Sequence, residues 1–222
     1  MKIKNNIIII IPALAKNRYS KYGDLHKWGD TNLLEWKISE AKKIKNYKEL
    51  YVATPDNLIK KKCKEININI LSRAKNENLN IFFQKLSKKF SQNFILILNP
   101  TSPFLSNKTI TKALDRFDKV KNKYDSMCTV QKKTEYFLYK NKPLNFDFKK
   151  THISRSKIKS IDQLSNGMFL INPKKYSKKI GILGNNSLFF RIDWLSGIEI
   201  SSFEEMEIYE FLINNYFNKN LA

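Results

Sequence analysis

The feature that most limits the fold of this chain is an unbroken run of five isoleucines, Ile7–Ile11, which Pro12 ends. A continuous β-branched run is typical of a strand with both faces buried, because a half-exposed strand alternates apolar and polar residues. The run is much shorter than the roughly 20 apolar residues that a membrane-spanning helix needs. The isoleucines therefore predict a strand inside a globular core.

Further segments with strand and helix patterns alternate along the chain. The other predicted strands are Leu50–Ala53, a stretch with alternating isoleucines at 66–70, Phe94–Leu98, Ser126–Val130 and Gly167–Ile171. Helical spacing marks the intervening segments at 34–41, 56–63, 81–90 and 109–117, and a last helix at 204–217. This alternation predicts βαβ units, and hence a three-layer α/β fold with a mainly parallel sheet and helices on both faces.

The length of the chain and one irregular segment define the expected domain organisation. The 222 residues are enough for one well-cored domain, so 1–222 are predicted to form a single unit. The segment 131–165 is basic, irregular and partly aromatic, and it is interpreted as an excursion from the sheet. Asp30 or Thr31 is the expected N-cap of the first helix, and Asp56 that of the second.

The net charge of +21 would ordinarily favour nucleic acid or an anionic membrane surface as a partner. However, only five of the 41 basic residues are arginines, on which bidentate contacts to phosphates and bases depend. The lysines are scattered among asparagines and isoleucines, without a basic stripe interleaved with aromatics. We therefore expect no nucleic-acid partner and no membrane insertion, but a general attraction for nucleotides and sugar acids.

The cysteines and the first residues bear on the compartment. Cys63 and Cys128 have neither metal-binding nor redox spacing, so buried thiols in a reducing cytosol are expected. The opening MKIKNN lacks the apolar region and cleavage site of a secretory signal. These features predict a cytoplasmic protein.

Ligands of open parallel sheets bind beyond the carboxyl ends of the strands, and three polar segments follow such ends. Pro12–Asp30 can offer backbone N–H groups and basic side chains to phosphates, but it lacks GxxxxGK[ST] and GxGxxG, and such a loop is more often simply solvated. Asn99–Ser106 is a rigid polar corner, suited equally to a ligand or to capping the next helix. Asn166–Gly167 indicates a close backbone approach at a strand start or, more commonly, a plain turn.

Taken in order, these segments resemble the motifs of the CMP-sialate synthetase family. The stretch IPALAKNRYSKYGDLHKWGDTNLLEW, from Ile11, is similar without a gap to the family's IPAR strand end, its glycine- and lysine-containing loop and its Gly-Lys-Pro-Leu helix start. NPTSPFL at 99–105 resembles QPTSPLR, and NGMFL at 166–170 resembles NGAIY. VATPD at 52–56 is similar to VSTDD, and EISSFEE at 199–205 to DIDTEED. The PTSP box is the most specific of these matches.

The resemblance implies a nucleotide-diphospho-sugar transferase-like, Rossmann-like fold and a defined reaction. CMP would pass from CTP to the anomeric hydroxyl of a nonulosonic acid, with Mg²⁺ as cofactor and pyrophosphate as the second product. Sialic, legionaminic and pseudaminic acids belong to this class, which serves cell-surface polysaccharides, and a related family activates the eight-carbon acid Kdo. Such an enzyme holds a weak nucleophile in line with the α-phosphorus and neutralises the leaving pyrophosphate.

The resemblance also implies roles for individual residues in the first loop. The expected catalytic residues, which contact the triphosphate, are Arg18, in place of a family lysine, and Lys21. The expected nucleotide-binding residues lie at the end of the first strand, in its loop and after the third strand: Pro12, Ala13, Leu14, Lys16, Asn17 and Arg73. Leu14 stands where the family has an arginine, and Gly23 where it has a second lysine.

The expected sugar-binding residues follow the fourth strand, lie in the excursion or precede the last matched motif: Asn99, Thr101, Ser102, Arg155, Asn166 and Gly167. The family holds its cation with two aspartates two residues apart, where this chain has Glu199 and Ser201. Glu199 is the expected ligand, with Asp193 as a second one if the backbone bends toward the site, because a serine is a poor ligand for Mg²⁺. An exposed strand carboxylate is an almost equal interpretation of Glu199.

These departures leave two alternatives open, namely a related nucleotidyltransferase with a different acceptor and a nucleotide-binding protein without catalysis. In the resembling family the excursion exchanges contacts between two subunits. The aromatic residues of 131–165 therefore predict a homodimer, although a locally packed loop cluster is the other interpretation: Tyr136, Phe137, Tyr139 and Phe146.

Overall fold

The computed structural model describes residues 3–147, 154–175 and 181–217. Its strands are β1 Ile7–Pro12, β2 Lys27–Trp28, β3 Thr31–Asn32, β4 Glu49–Thr54, β5 Asn69–Ser72, β6 Phe94–Leu98, β7 Ser126–Lys133, β8 Leu138–Tyr139, β9 Lys142–Pro143, β10 Ile161–Ile171 and β11 Ser187–Ile192. Its α-helices are α1 Leu33–Lys42, α2 Asn57–Glu65, α3 Leu79–Lys89, α4 Asn107–Val120 and α5 Phe203–Leu212.

Seven strands form the main sheet, in the order β11-β7-β10-β6-β1-β4-β5. β1 is parallel to both of its neighbours, and the pairs β4–β5 and β7–β11 are parallel as well. β10 lies antiparallel between β6 and β7. Because β10 runs against both neighbours, β7 points the same way as β6, and the parallel strands share one carboxyl edge. The predicted mainly parallel sheet is confirmed.

The isoleucines of β1 divide between the two faces of the sheet. Ile7, Ile9 and Ile11 pack in one core with residues of α1, α2 and α4. Ile8 and Ile10 pack in a second core with α3. All five are essentially inaccessible to solvent, and a buried side chain of this size contributes about 1.5–3 kcal/mol. The helices on both faces are thus the consequence of a strand without a polar side. Within the described ranges no helix combines the length and apolar content needed to cross a bilayer.

The excursion from the sheet is shorter than the sequence indicates. β7 continues to Lys133 and β10 begins at Ile161, and these extensions pair with each other, with Ile161 opposite Lys133 and Leu164 opposite Val130. The segment outside the sheet is therefore 134–160, of which 148–153 lie outside the described residues. The extensions were missed because this ribbon projects past the hydrophobic core and carries polar side chains. Gly167 accordingly lies inside β10, and not at a strand start.

Two smaller predictions also need correction. The third strand starts at Asn69, because α2 runs to Glu65 and Ile66 closes it as the C-cap. The N-cap of α1 is Asn32, whose side chain accepts a hydrogen bond from the Glu35 N–H at 2.9 Å. Thr31 is occupied by the short β2–β3 pairing, opposite Trp28. The cap therefore falls at the next residue with a short polar side chain.

A fully buried lysine of α1 holds the corner after β6. The Lys37 Nζ donates to the Ser102 carbonyl at 2.7 Å and lies 3.4 Å from the Leu105 carbonyl. The neighbouring Trp36 Nε1 donates to the Pro103 carbonyl at 2.8 Å. Burial lowers the pKa of Lys37 to about 8, although the charge of Glu40 acts in the opposite direction. The side chains of Lys37 and Trp36 therefore hold the corner through its backbone carbonyls.

We predict that Lys37→Met lowers the free energy of unfolding by about 1–3 kcal/mol at pH 7, because the buried Ser102 carbonyl loses its 2.7 Å bond from the lysine and keeps only the longer one from the Leu105 N–H at 3.3 Å. The lowered pKa means that the fold favours neutral Lys37, so wild-type stability gains a contribution as pH rises from about 8 to about 10.4. Urea unfolding at pH 7 and 10 measures both effects. The variant should lack that gain, and exposed Lys42→Met serves as the control with little change.

Candidate functional site

Three polar residues meet at the carboxyl edge of the sheet. Asn99 directly follows β6, and its N–H donates to the Gly167 carbonyl at 3.1 Å. Its side-chain amide donates to the Asn166 carbonyl on β10. The Asn166 amide in turn lies 3.1 Å from both carboxylate oxygens of Glu199. The pairing of β6 with β10 therefore brings Asn99 and Asn166 together, and the Asn166 amide joins Glu199 to them.

A cleft of about 340 Å³ opens on one side of this trio. Pro12, Asn99, Asn166 and Glu199 contribute polar and backbone groups at its rim. Apolar side chains from α3 and the sheet form much of the remainder: Phe82, Phe83, Ile97, Phe169 and Ile182. We call it the aromatic cleft. Its lining suits a flat ring with polar edges.

Arg73 supports the aromatic cleft from outside. It follows β5, and its guanidinium carbon lies 4.8 Å from the ring centroid of Phe82. Its terminal nitrogen also donates to the Glu77 carbonyl at 3.2 Å. Arg73 thus contacts a wall of the cleft instead of lining it.

A second cleft, of about 210 Å³, also has Glu199 in its lining. It is more polar, and much of it is built by the β7 and β10 extensions that project past the core. Side chains that line it include Gln131, Lys133, Gln163, Ser165, Glu199 and Ser201. We call it the polar cleft. Amides, hydroxyls and a lysine are groups that bind a hydroxyl-rich anion.

Only Asn99 of the 99–105 segment lines the aromatic cleft. The Ser102 side chain is buried, and a Cβ added to Gly167 would lie 2.9 Å from its Cβ. The Thr101 carbonyl accepts the Ile200 N–H at 2.8 Å and so joins the corner to the segment that carries Glu199. Thr101 and Ser102 therefore support the site through the backbone and through packing.

The loop after β1 carries the residues expected to meet phosphates. Lys16, Arg18 and Lys21 are exposed, and the Lys21 Nζ lies 5.0 Å from the ring centroid of Tyr22. Ala13 is buried, and its N–H donates to the Ala53 carbonyl. The Asn17 side chain accepts the Ser20 N–H at 3.0 Å. The charged side chains of the loop thus face solvent at the carboxyl edge.

Two carboxylates bind the first N–H groups of this loop. The Leu14 N–H donates to Asp24 and the Ala15 N–H to Asp56, both at 2.8 Å. Asp24 is buried and also accepts the Tyr19 hydroxyl at 2.5 Å. Burial raises the pKa of Asp24 to about 6, although the bonds from Tyr19 and Leu14 oppose that shift. Burial, with the charge of Asp24, also raises the pKa of Tyr19.

Arg155 lies apart from both clefts. It sits in the excursion, where it forms an ion pair with Glu135, and its Nε donates to the Thr134 carbonyl at 2.9 Å. Both partners belong to the excursion itself. Its expected contact with a sugar therefore stays a prediction that needs a rearrangement of this segment.

The carboxylates at the carboxyl edge of the sheet differ in whether they could bind a metal ion. Both Asp193 oxygens accept bonds from Ser196, at 2.9 and 2.6 Å, so they close the turn that follows β11. The Ser201 hydroxyl donates to Glu205 at 2.7 Å. No group of three His, Cys, Asp or Glu residues in the described ranges is arranged to hold a metal ion. Glu199 alone suits Mg²⁺ that takes most of its ligands from water and substrate phosphates.

The seven-stranded, mainly parallel sheet with helices on both faces is an α/β fold of the nucleotide-diphospho-sugar transferase-like class. The family model for cytidylyltransferases matches residues 23–169, more than half of the chain. The chain therefore belongs to the cytidylyltransferase family. A comparison with curated proteins finds no match.

Solved structures support the fold assignment. The 4-diphosphocytidyl-2C-methyl-D-erythritol synthase from Anaerococcus prevotii is 13% identical, with a TM-score of 0.67 and 98% of each chain covered. The CMP:2-keto-3-deoxy-manno-octonic acid synthetase complexed with CTP is 10% identical, with a TM-score of 0.66, covering 93% of this chain and 98% of that one. At these identities the likeness establishes the fold.

Several residues of the site were not found from the sequence. The aromatic lining of the first cleft comes from the buried face of α3, where Phe82 and Phe83 have the pattern of ordinary core residues. Gln131 and Lys133 alternate on β7 with a period of two, and this signal would have identified them had the strand been extended beyond Val130. The role of Asp24 has no local signature, because it depends on how the loop folds back.

We predict that Gly167→Ala lowers the free energy of unfolding by about 1–3 kcal/mol, because the new Cβ would lie 2.9 Å from the Ser102 Cβ and 3.0 Å from the Leu105 Cδ2. Gly181→Ala is the matched control, since its added Cβ meets nothing closer than 3.6 Å. Thermal unfolding compares the two. Equal melting temperatures would contradict the close approach of β10 to the corner.

Proposed function

We propose that this cytidylyltransferase transfers CMP from CTP to the anomeric hydroxyl of a nonulosonic sugar acid. The acceptor oxygen forms a bond to the α-phosphorus while the bond from that phosphorus to the bridging oxygen of the pyrophosphate breaks. The electron pair leaves with pyrophosphate, and the hydroxyl proton passes to solvent. The observation that carries the proposal is the pair of clefts, one aromatic and one polar, that meet at Glu199.

The aromatic cleft is the proposed nucleoside site. Phe82, Phe83 and Phe169 offer apolar walls to a pyrimidine ring, while Asn99 and Asn166 offer amides to its polar groups or to ribose. Pro12, also in the lining, places the loop after β1 beside this cleft. Lys16, Arg18 and Lys21 then provide the positive charge for the triphosphate. Catalysis of this transfer depends on positioning and charge neutralisation, which such residues provide.

The polar cleft is the proposed acceptor site. Gln131, Gln163 and Ser165 offer hydrogen bonds to hydroxyl groups, and Lys133 offers a cation to a carboxylate. Because both clefts share Glu199 in their lining, an acceptor bound here would lie next to the proposed nucleotide, as transfer to the α-phosphorus requires. Cys63 and Cys128 are both free and buried. Unpaired cysteines accord with a reducing compartment, and we propose that the protein is cytoplasmic.

We propose that Glu199 is the protein ligand of a Mg²⁺ ion that arrives with CTP. The ion would supply positive charge for the phosphate oxygens and the leaving pyrophosphate. A single carboxylate is sufficient when the substrate phosphates complete the coordination. Asp193 has a different role in this proposal, because its oxygens hold the turn after β11.

A second candidate function is cytidylyl transfer to an acceptor that is not a sugar acid. It is favoured by the position of Arg155, which pairs with Glu135 instead of lining the polar cleft. The names of the two structural relatives refer to a methylerythritol product in one case and an octonic acid in the other. Acceptors related to both therefore belong in the assay.

The proposal is tested by incubating the protein with CTP, Mg²⁺ and separate panels of nonulosonic acids, octonic acids and phosphorylated polyols, and measuring pyrophosphate. We expect release with a nonulosonic acid. Release with the phosphorylated polyols alone would support the second candidate, and release with the octonic acids alone would contradict the nonulosonic acceptor while keeping a sugar acid as the substrate. CTP binding without release from any panel would leave a nucleotide-binding protein without catalysis and would overturn both.

We predict that Glu199→Gln lowers kcat/KM at least about tenfold and raises the Mg²⁺ concentration needed for half-maximal rate, because the amide keeps the shape and loses the charge. Glu207→Gln, at an exposed position of α5, is the matched control and should leave both values unchanged. Pyrophosphate release at several Mg²⁺ concentrations measures the effect. An unchanged Mg²⁺ dependence would remove Glu199 from the metal site.

We also propose that the protein is a homodimer formed through the excursion. The β8–β9 hairpin and the residues beside it expose large apolar side chains, Tyr136, Leu138, Tyr139 and Leu144. Light scattering at micromolar concentration should give twice the monomer mass. Leu138→Lys with Leu144→Lys should give the monomer, because charges at a buried interface carry a desolvation penalty. Leu58→Lys, at an exposed position of α2, should remain dimeric, and a monomeric wild type would refute the proposal.

A further inference from the structure

The loop after β1 begins with N–H groups that are already bonded to protein carboxylates. A loop that leaves a buried strand commonly offers such groups to a phosphate. Here the Leu14 N–H donates to the Asp24 Oδ2 and the Ala15 N–H to the Asp56 Oδ2, both at 2.8 Å. The two donors nearest the strand end are therefore engaged by anions from within the protein.

Asp24 closes the loop on itself. Its own N–H donates to the Leu14 carbonyl at 2.8 Å, so Leu14 and Asp24 exchange two hydrogen bonds. Gly23 lies directly over this turn, where an added Cβ would come within 2.1 Å of the Leu14 carbonyl oxygen. The Tyr19 hydroxyl holds the other Asp24 oxygen, and the Tyr19 ring packs with Ile200 and Met206. The loop is thereby connected to the segment that follows Glu199.

Asp56 joins the same loop to a second strand. It stands at the N-cap position of α2, yet its side chain makes no capping bond to that helix. Its N–H donates to the Thr54 Oγ1 at 3.1 Å, which fixes the residue at the end of β4. The carboxylate that would ordinarily cap the helix is turned to the loop instead. Asp56 therefore joins the loop after β1 to the end of β4.

The outer part of the loop retains the groups that a phosphate needs. Among the hydrogen bonds of the described residues, the N–H groups of Lys16 and Arg18 donate to none. Their side chains and that of Lys21 are exposed. Two carboxylates at the strand end also repel a phosphate there, which favours binding further out along the loop.

From this geometry we infer that Asp24 and Asp56 are positioning residues, which fix the first turn so that residues 16–21 bind the triphosphate. The inference rests on the proposed function and adds to it the part of the loop that contacts phosphate. Neither carboxylate touches the nucleotide in this arrangement. Each acts through the backbone of Leu14 or Ala15.

The chain offers a matched control for a carboxylate that bonds a backbone N–H without this role. The Asp118 Oδ1 accepts the Ile3 N–H at 3.1 Å, just before β1 and therefore at the opposite end of that strand. Asp118→Ala removes the same kind of bond away from the carboxyl edge. Its effect measures what a purely structural loss does to binding.

The experiment is calorimetric titration of CTP and of inorganic tripolyphosphate into the wild type and variants, with thermal unfolding as the check on folding. We expect Asp56→Ala to weaken both ligands at least about tenfold, because the Ala15 N–H loses a charge-assisted bond to a carboxylate and the first turn of the loop loses its link to β4. Asp56→Asn keeps an oxygen for the Ala15 N–H and should bind within about threefold of wild type. Asp24→Ala should weaken both ligands as Asp56→Ala does, Asp24→Asn keeps an oxygen for the Leu14 N–H and should restore binding to within about threefold, and Asp118→Ala should bind like wild type.

The possible failures are distinguishable. If Asp56→Ala binds both ligands like wild type, or if Asp118→Ala weakens them equally, the positioning role is wrong. Failure of Asp56→Asn to restore binding would also reject it, because the acceptor geometry would then not be the cause. A wild type that binds neither CTP nor tripolyphosphate contradicts the proposed function itself.

Discussion

The burial of β1 on both faces is the constraint on which the remaining structure depends. A strand of five isoleucines has no polar face, so helices cover both faces of the sheet at this strand. Parallel strands flank it on both sides. Parallel neighbours end at the same edge. The carboxyl edge of the sheet therefore brings together the loop after Pro12, the corner after Leu98 and the antiparallel strand β10. The clefts form at this edge.

The polar groups at that edge are held by one another, because an unpaired buried donor or acceptor costs free energy. Lys37 reaches the Ser102 carbonyl, Ile200 reaches Thr101, and the Asn166 amide reaches Glu199. The first two bonds join α1 and the segment after β11 to the corner after β6, and the third joins β10 to Glu199. The result is a rim whose side chains are oriented before a ligand arrives, which is a requirement for a site that acts by positioning.

The predictable part of this structure is the part governed by local pattern. The isoleucine run and Phe94–Leu98 have no competing interpretation, and both strands fall where the pattern places them. The parts of β7 and β10 beyond the core were missed because their mainly polar side chains remove the apolar signal, although pairing continues through the backbone. The sequence also did not predict the roles of Asp56 and Lys37 in holding the loop and the corner. The Asp56 side chain bonds a loop that is distant in sequence, and buried Lys37 contacts the carbonyls of Ser102 and Leu105. Both roles depend on tertiary contacts, which a local sequence pattern does not contain.

The closed loop also gives a physical reason for two departures from the motifs of the resembling family. A lysine at position 23 would require a Cβ within 2.1 Å of the Leu14 carbonyl oxygen, and the backbone there has a φ of 52°. A glycine is thus demanded by the way Asp24 folds back onto Leu14. Leu14 needs no charged side chain to hold its own turn, because its backbone N–H and carbonyl both bond Asp24. Positive charge at the edge then depends on Lys16, Arg18 and Lys21, which are exposed. The altered residues are consequently compatible with a working triphosphate loop of different internal construction, and they are not by themselves a sign of lost activity.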